Sequence, residues 1–254
     1  MAGKFIGIGV GPGDPELVTV KAVTALKMVD VVSVPKAHAD TPSMALGIVK
    51  HILEEREKPP EVLELVFPMT KNEVEVKRLW AKNAGIVAGK VESGKAVAFI
   101  TLGDPMFYST FIYLFQSLSQ EYPEVKLEII PGVTALTACA ASAQIPLAEK
   151  EEVVAIIPSD LDSKLIEETA KHADSLVFMK CAHRFKDLVP ILEKSSFTKK
   201  STIALVRRCT MPKEKIIVGK LGDVQGWEIP DDYFSMAIVK RSELPINRKR
   251  GVVL

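Results

Sequence analysis

The stretch IGIGVGPGDPELVTVKA, Ile6 to Ala22, sets four glycines and two prolines between an apolar run and an amphipathic pattern. Two later stretches repeat the theme, AVAFITLGDPMFYS from Ala96 to Ser109 and KLEIIPGVTA from Lys126 to Ala135. Each reads as a strand running into a turn dense in Gly and Pro, then a helix. Glycine in such a turn lets the backbone approach a ligand, so that main-chain N–H and C=O groups do the recognition. A pyrophosphate is the first ligand to test. The G-x-G-x-x-G spacing fails, because its third glycine falls on Pro12 or Asp14 depending on register, and G-x-x-x-x-G-K-[ST] is absent. An aspartate at the helix start would also repel a phosphate. One such loop is equally well explained as a plain tight turn. Three at the carboxyl ends of parallel strands mark the edge where open α/β sheets hold ligands.

Other chemistries find little support. The three cysteines, Cys139, Cys181 and Cys209, are far apart and form no C-x-x-C, which reads as reduced thiols in a cytoplasmic protein. The four histidines are scattered, so no protein-bound metal is expected. His38, His51 and His172 read as surface or packing residues. No Ser/His/Asp or Cys/His arrangement is visible. A formal net charge of +1 gives no general case for nucleic acid or an acidic membrane as partner. The N-terminal apolar run is too short, and too soon interrupted by glycine and acid, for a signal peptide or a membrane span.

The elements that must position the loops alternate. KFIGIGV reads as a buried strand, and PELVTVKAVTALKMVD as one helix with Asp14 as its N-cap and Pro15 at its first position. VVSVP is a second strand, which completes a βαβ unit and implies a parallel sheet. A helix SMALGIVKHILEE, an extended EVLELVFPM and a long helix ending at Gly94 follow. The second half opens with the strand EEVVAIIPS, the helix SKLIEETAKHA, the strand SLVFMKCA and the helix RFKDLVPILEKS. Three closing strands, STIALVRRCT, EKIIVGKLGDV and YFSMAIVKR, have little helix between them and predict antiparallel pairing. The fold class is therefore α/β in two domains, 1–135 with a parallel sheet and 136–254 with a mixed sheet.

GVGPGDPELVTVKA, TLGDPMFYST and IIPGVTALTACAASAQIPL, in this order and at these intervals, resemble the tetrapyrrole (corrin/porphyrin) methyltransferases. SLVFMK resembles that family's second-domain strand, and RRCTMPKEKIIVGKL its closing x-G-T…V-x-G-T-L segment. The likeness spans nearly the whole chain. VVSVPKA, VFPMT and AFITLGDPMFYSTFIYL look most like the branch that methylates C-20 of precorrin-2 or cobalt-factor II in cobalamin synthesis.

The resemblance implies S-adenosylmethionine as methyl donor, held in a cleft between the two domains, and a homodimer. It assigns cofactor contacts to Pro12, Leu102, Gly103, Asp104, Phe107, Thr134, Ala135, Met179, Arg208 and Cys209. The last two stand where many relatives carry an Asn-Gly type pair. Substrate contacts fall on Gly11, Gly13, Asp14, Lys36, Tyr108, Ser109 and Lys180. Asp104 has two readings, a carboxylate accepting from the cofactor's ribose or amino group and an N-cap of the next helix. A tetrapyrrole carries many carboxylates, so local cations are needed, and His183, Arg184, Lys186, Arg207 and Arg208 join Lys36 and Lys180 as candidates, although solvated surface charge explains any single one.

The implied chemistry asks little covalent work of the protein. An electron-rich meso carbon attacks a sulfonium methyl in line, and the protein orients the pair and excludes water. No catalytic base is assigned; Asp104, Tyr108 and Ser109 share the loop that would supply one. A metal-free or a cobalt-containing substrate, with the metal carried by the substrate, remains open. The uroporphyrinogen III and diphthamide branches share the Gly-Pro loops, and a noncatalytic S-adenosylmethionine-binding protein would share them too.

Overall fold

The computed structural model describes residues 3–36, 42–67, 72–158 and 160–245. His38 and most of VFPMT lie outside them. Among the described residues the strands form two five-stranded sheets, and the chain divides into two compact units, Met1–Thr134 and Ala135–Leu254.

In the first unit, β1 (Lys4–Gly9), β2 (Val31–Lys36), β3 (Glu61–Val66), β4 (Ala96–Thr101) and β5 (Leu127–Ile130) lie in the order β3-β2-β4-β1-β5, all parallel. Apolar residues run almost unbroken along β1, β2 and β4 because helices cover both faces of the sheet. α1 (Val20–Leu26) and α2 (Met44–Glu54) pack Ala22, Leu26, Ile48, Val49 and Ile52 onto Ile6, Ile8, Val32, Ala98 and Ile100. α3 (Glu73–Glu92) and α4 (Phe111–Glu121) pack Ala84, Val87, Phe111, Leu114 and Leu118 onto Phe5, Val31, Val97 and Phe99. Burying each large aliphatic or aromatic side chain contributes about 1.5–3 kcal/mol.

The connections that follow β1 and β2 therefore cross one face of the sheet, and those that follow β3 and β4 cross the other. β4 lies between two strands whose connections leave on the face opposite to its own. That arrangement is a topological switch point, the place where open α/β sheets form a ligand crevice at the carboxyl ends of their strands. β4, β1 and β5 are neighbours, so the three Gly-Pro loops stand side by side.

The helix expected from Pro15 is two elements. Asp14 caps a short 3-10 turn, Pro15–Leu17, accepting from the Glu16 amide at 2.9 Å. Val18 and Thr19 are then extended, and Thr19 Oγ1 caps α1 by accepting from Ala22 N at 3.2 Å. A second N-cap residue, flanked by β-branched neighbours that resist helix, restarts the element.

The second unit begins with α5 (Ala135–Ala143), which packs on strands β8 (Thr202–Arg207), β9 (Lys215–Lys220) and β10 (Ser235–Lys240). β6 (Val154–Pro158) and β7 (Ser175–Met179) complete the sheet, in the order β6-β7-β10-β8-β9. β6 and β7 are parallel, and β10 runs antiparallel to both β7 and β8, as does β9 to β8. α6 (Ser163–His172) and α7 (Phe185–Glu193) bury Ile166, Ala170, Phe185 and Leu188 with Phe178, Leu205 and Val239. Pro190 sits inside α7 and cannot donate to the Lys186 carbonyl one turn back. Gln225 Nε2 supplies the missing donor at 3.2 Å. The predicted last part of EKIIVGKLGDV differs from expectation. LGDV leaves the strand for a 3-10 segment, Leu221–Gly226, whose first residues are anchored by bonds from Leu221 N to Ser201 O and from Gly222 N to Lys199 O.

Candidate active site

The three loops of the first unit are joined through backbone. Gly11 and Gly103 form a two-way bridge, with Gly103 N donating to Gly11 O at 2.8 Å and Gly11 N to Gly103 O at 3.4 Å. Both have positive φ, +79° and +65°, the left-handed region that side chains disfavour. Gly9 and Gly132 are there for proximity. A Cβ on Gly132 would lie 2.1 Å from Gly103 O, and one on Gly9 would lie 2.5 Å from the same oxygen. Any side chain at either position would push the loops apart.

Asp104 locks the arrangement. Its Oδ2 accepts from Gly132 N at 3.0 Å, tying the β4 loop to the β5 loop, and its Oδ1 accepts from Met106 N at 2.8 Å. It does not cap α4, whose N-cap position is Thr110 and carries no side-chain cap bond. Each carboxylate oxygen keeps a further lone pair. Gly103, Asp104 and Phe107 are half-buried, Pro12 is buried, and Gly13 and Asp14 are half-buried beside it. Tyr108 is exposed at φ +51°, its ring edge-on to Phe107. Ser109 is turned inward. Its hydroxyl is buried, 2.9 Å from Thr101 Oγ1, and accepts from Phe111 N at 3.1 Å, so it braces the loop. Lys36, at the end of β2, has its ammonium 2.9 Å from Glu64 on β3. Thr134 closes the unit, and Ala135 starts α5 in the next.

The other candidates lie at the matching edge of the second sheet. Met179 ends β7, and Lys180 follows it at φ +55°; Arg207 ends β8, and Arg208 follows it at φ +52°. Both amides are held by the segment leading into β10, Lys180 N by Ser235 O and Arg208 N by Phe234 O, each at 2.7 Å. The segment's side chains act on the same two residues. Asp232 Oδ2 accepts from Arg208 Nε at 2.7 Å and Arg207 Nη2 at 3.4 Å, and Lys180 Nζ stands 4.5 Å above the Tyr233 ring. Burial works against the ionised Asp232, but the Arg208 hydrogen bond, the Phe234 amide and the two guanidinium charges outweigh it and hold the carboxyl below its ordinary value.

Cys209 is buried, with Ser142 Oγ at 3.7 Å and Cys139 of α5 nearby. The Cys139 interaction moves the Cys209 titration down, and the Cys209 interaction, with burial, moves that of Cys139 up. Burial pushes the Cys181 thiol up to about 12. His183 meets Asp160 at 3.1 Å, and Arg184 and Lys186 donate to the backbone carbonyls of Leu161 and Gln225. Those three line a separate hollow of about 280 Å³ around the start of α7.

Sequence reading missed Gly9 and Gly132, which look like ordinary loop glycines until the strand order makes their loops neighbours. Asp232 and Tyr233 were missed as well, since nothing in the run PDDYF distinguishes a brace from a polar turn. Among the described residues, no group of three or more His, Cys, Asp or Glu is gathered as a metal would require, and no helix is long and apolar enough to cross a membrane.

Comparison with known proteins decides the family. The model for tetrapyrrole (corrin/porphyrin) methylases matches residues 4–225. The chain belongs to that family. It is 35% identical over 94% of its length to a Methanocaldococcus jannaschii protein named "Probable cobalt-precorrin-2 C(20)-methyltransferase", covering 96% of that protein. It is 34% identical over 95% of its length to the cobalt-precorrin-2 C(20)-methyltransferase of Salmonella typhimurium, covering 98% of it. Among solved structures, a cobalt precorrin-4 methyltransferase superposes with a TM-score of 0.71 at 23% identity, covering 95% of this chain and 96% of that one. The Thermus thermophilus uroporphyrin-III C-methyltransferase, solved with S-adenosyl homocysteine, gives 0.67 at 23%, covering 94% and 97%. These last two likenesses establish the shared fold. As a tetrapyrrole methylase, the chain is a methyltransferase whose two sheets carry the loops just described.

Proposed function

We propose that this methylase transfers a methyl group from S-adenosylmethionine to C-20 of precorrin-2 or its cobalt-containing counterpart, cobalt-factor II, in cobalamin biosynthesis. The observation that carries the reading is the nearly end-to-end likeness to two C(20)-methyltransferases at 35% and 34% identity. The uroporphyrinogen-III methyltransferase of M. jannaschii is more distant, 27% identical over 88% of the chain.

The residues fit the donor. The loops after β1, β4 and β5 carry Asp14 and Asp104 and no Lys or Arg, an edge that suits a cationic sulfonium and repels a phosphate. When bound, S-adenosylmethionine supplies an electrophilic methyl group. Pro12, Leu102, Gly103 and Asp104, with Phe107 and Thr134, hold it from the first unit. The family resemblance adds Ala135, Met179, Arg208 and Cys209 as candidate contacts. Asp104 offers its remaining lone pairs to hydroxyl or amino donors while staying fixed by Gly132 and Met106. The substrate lies against Gly11, Gly13, Asp14 and Tyr108, with Lys180 meeting its carboxylates; any cobalt is carried by the substrate. The enzyme works as a cytoplasmic homodimer.

The test is a methylation assay with methyl-labelled S-adenosylmethionine and each substrate in turn, the product read by mass and carbon NMR. Label at C-20 from one substrate establishes the reaction and identifies the pathway branch. Label at another carbon, or none from either substrate while the cofactor binds, overturns the assignment.

A further inference from the structure

Lys180 and Arg208 are the first residues beyond β7 and β8, and neither is a glycine although both adopt left-handed backbone. Such a conformation costs about 1–2 kcal/mol per residue and persists only where neighbours enforce it. Here one four-residue segment, Asp232–Ser235, enforces both. Its Phe234 and Ser235 carbonyls take the two amides, Asp232 takes the Arg208 side chain, and the Tyr233 ring lies under the Lys180 ammonium. Ser235 Oγ adds a bond from Ala182 N at 2.9 Å, fixing the backbone beyond Lys180. Asp232 is only 5% exposed, while Arg208 remains 42% exposed with its Nε engaged. An arginine held at Nε retains four further N–H donors. β7 and β8 flank β10, so the two cation-bearing backbones stand about 10 Å apart along one sheet edge.

We propose that Asp232 and Tyr233 are positioning residues that set Arg208 and Lys180 as a spaced pair of cations for two carboxylates of the tetrapyrrole. The inference rests on the function proposed above, and it moves the Arg208 side chain from cofactor contact to substrate recognition. A carboxylate behind Arg208 fixes the guanidinium plane, which a bidentate contact requires. An aromatic face beneath Lys180 orients its ammonium by cation–π attraction.

The experiment measures equilibrium binding of cobalt-factor II by absorbance titration, binding of S-adenosylhomocysteine by calorimetry, and steady-state turnover, on wild type, Asp232→Asn, Asp232→Glu and Tyr233→Leu. Asp232→Asn should weaken the tetrapyrrole at least about tenfold in Kd and KM, with kcat reduced less than threefold and S-adenosylhomocysteine affinity within threefold. Asp232→Glu should recover part of that loss. Tyr233→Leu alters an exposed ring and tests the Lys180 arm should the aspartate variants fold poorly; a threefold to tenfold weakening is expected. Unchanged tetrapyrrole binding in both Asp232→Asn and Tyr233→Leu overturns the proposal. So does an equal loss for tetrapyrrole and S-adenosylhomocysteine, which would make Arg208 a cofactor ligand. A wild type that binds cobalt-factor II yet methylates neither it nor precorrin-2 sinks the assigned reaction while the titrations still judge the brace. A wild type that binds neither cobalt-factor II nor precorrin-2 overturns both.

Discussion

The two units build comparable edges by opposite means. At the first, glycines at 9, 11, 103 and 132 remove side chains so that three loops meet through bare backbone. At the second, residues with side chains hold the left-handed conformations, at the charged Lys180 and Arg208, and again at Thr210 and Lys213 beyond them. One edge gains closeness by giving up side chains. The other keeps its side chains and stabilises the strained backbone with bonds from the segment before β10. Each edge also uses one aspartate as a lock, Asp104 between two loops and Asp232 between two arginines. The difference fits the proposal that the braced pair Lys180 and Arg208 reads the substrate's carboxylates. Backbone groups and a carboxylate suit a small donor molecule, whereas projecting cations suit a large polyanion.

The largest effect should come from spoiling the glycine contacts. In Gly132→Ala the new methyl would meet Gly103 O at 2.1 Å and the Gly9 carbonyl carbon at 2.8 Å. Gly103 cannot retreat easily, because its own N–H and C=O are paired with Gly11. We expect a loss of about 3 kcal/mol or more in urea unfolding, with S-adenosylhomocysteine binding abolished in the fraction that remains folded. A loss below about 1 kcal/mol would mean that the loops yield, and that the contrast with the second unit has been overdrawn.

That contrast also accounts for what the sequence discloses. Glycine and proline are punctuation, so GPG, LGDP and IIPG announce the first edge and its strand ends before any coordinates. The closing antiparallel strands were legible too, because little helical pattern separates them. What escaped was pairwise. Gly132 acquires its meaning only from β5 lying beside β1, and Asp104 only from reaching across to Gly132. Asp232 braces residues 24 and 25 positions earlier in the chain, a relation no local pattern carries. The break at Val18–Thr19 was readable in principle, since Thr19 three residues before Ala22 is itself an N-cap signal, but Asp14 and Pro15 gave a stronger one upstream.

An intermediate effect should distinguish the second unit's lock by its pH dependence. Asp232 titrates below its ordinary 3.8 in the folded protein, so its contribution is complete above the unfolded value and disappears as pH falls through the folded one. Asp232→Asn turns an amide N–H₂ towards donors that the carboxylate accepted from, and should destabilise the protein by about 2 kcal/mol at neutral pH. The stability gap between wild type and Asp232→Asn should stay level above about pH 5 and close below pH 3.8, as read from urea midpoints across the range. A gap that persists into strong acid would show that packing, not charge, holds the brace.

The smallest effect sharpens the comparison within the first unit itself. Tyr108 is that edge's exception, a non-glycine at φ +51° on a loop otherwise shaped by glycine, and it is exposed. Its ring meets that of Phe107 edge-on at 5.0 Å. If the strain at Tyr108 is retained for its side chain, Tyr108→Gly should relieve the backbone and leave stability equal or higher by up to about 1 kcal/mol, despite the greater freedom of glycine in the unfolded chain. The same variant should raise the tetrapyrrole KM severalfold and leave S-adenosylhomocysteine binding unchanged. Arg208→Gly provides the control from the other edge. It relieves the same conformation but also takes from the buried carboxylate of Asp232 its shortest ion-pair partner, so it should lose stability where Tyr108→Gly does not. Equal behaviour of the two would erase the distinction between a loop that tolerates its strain and one that is braced against it.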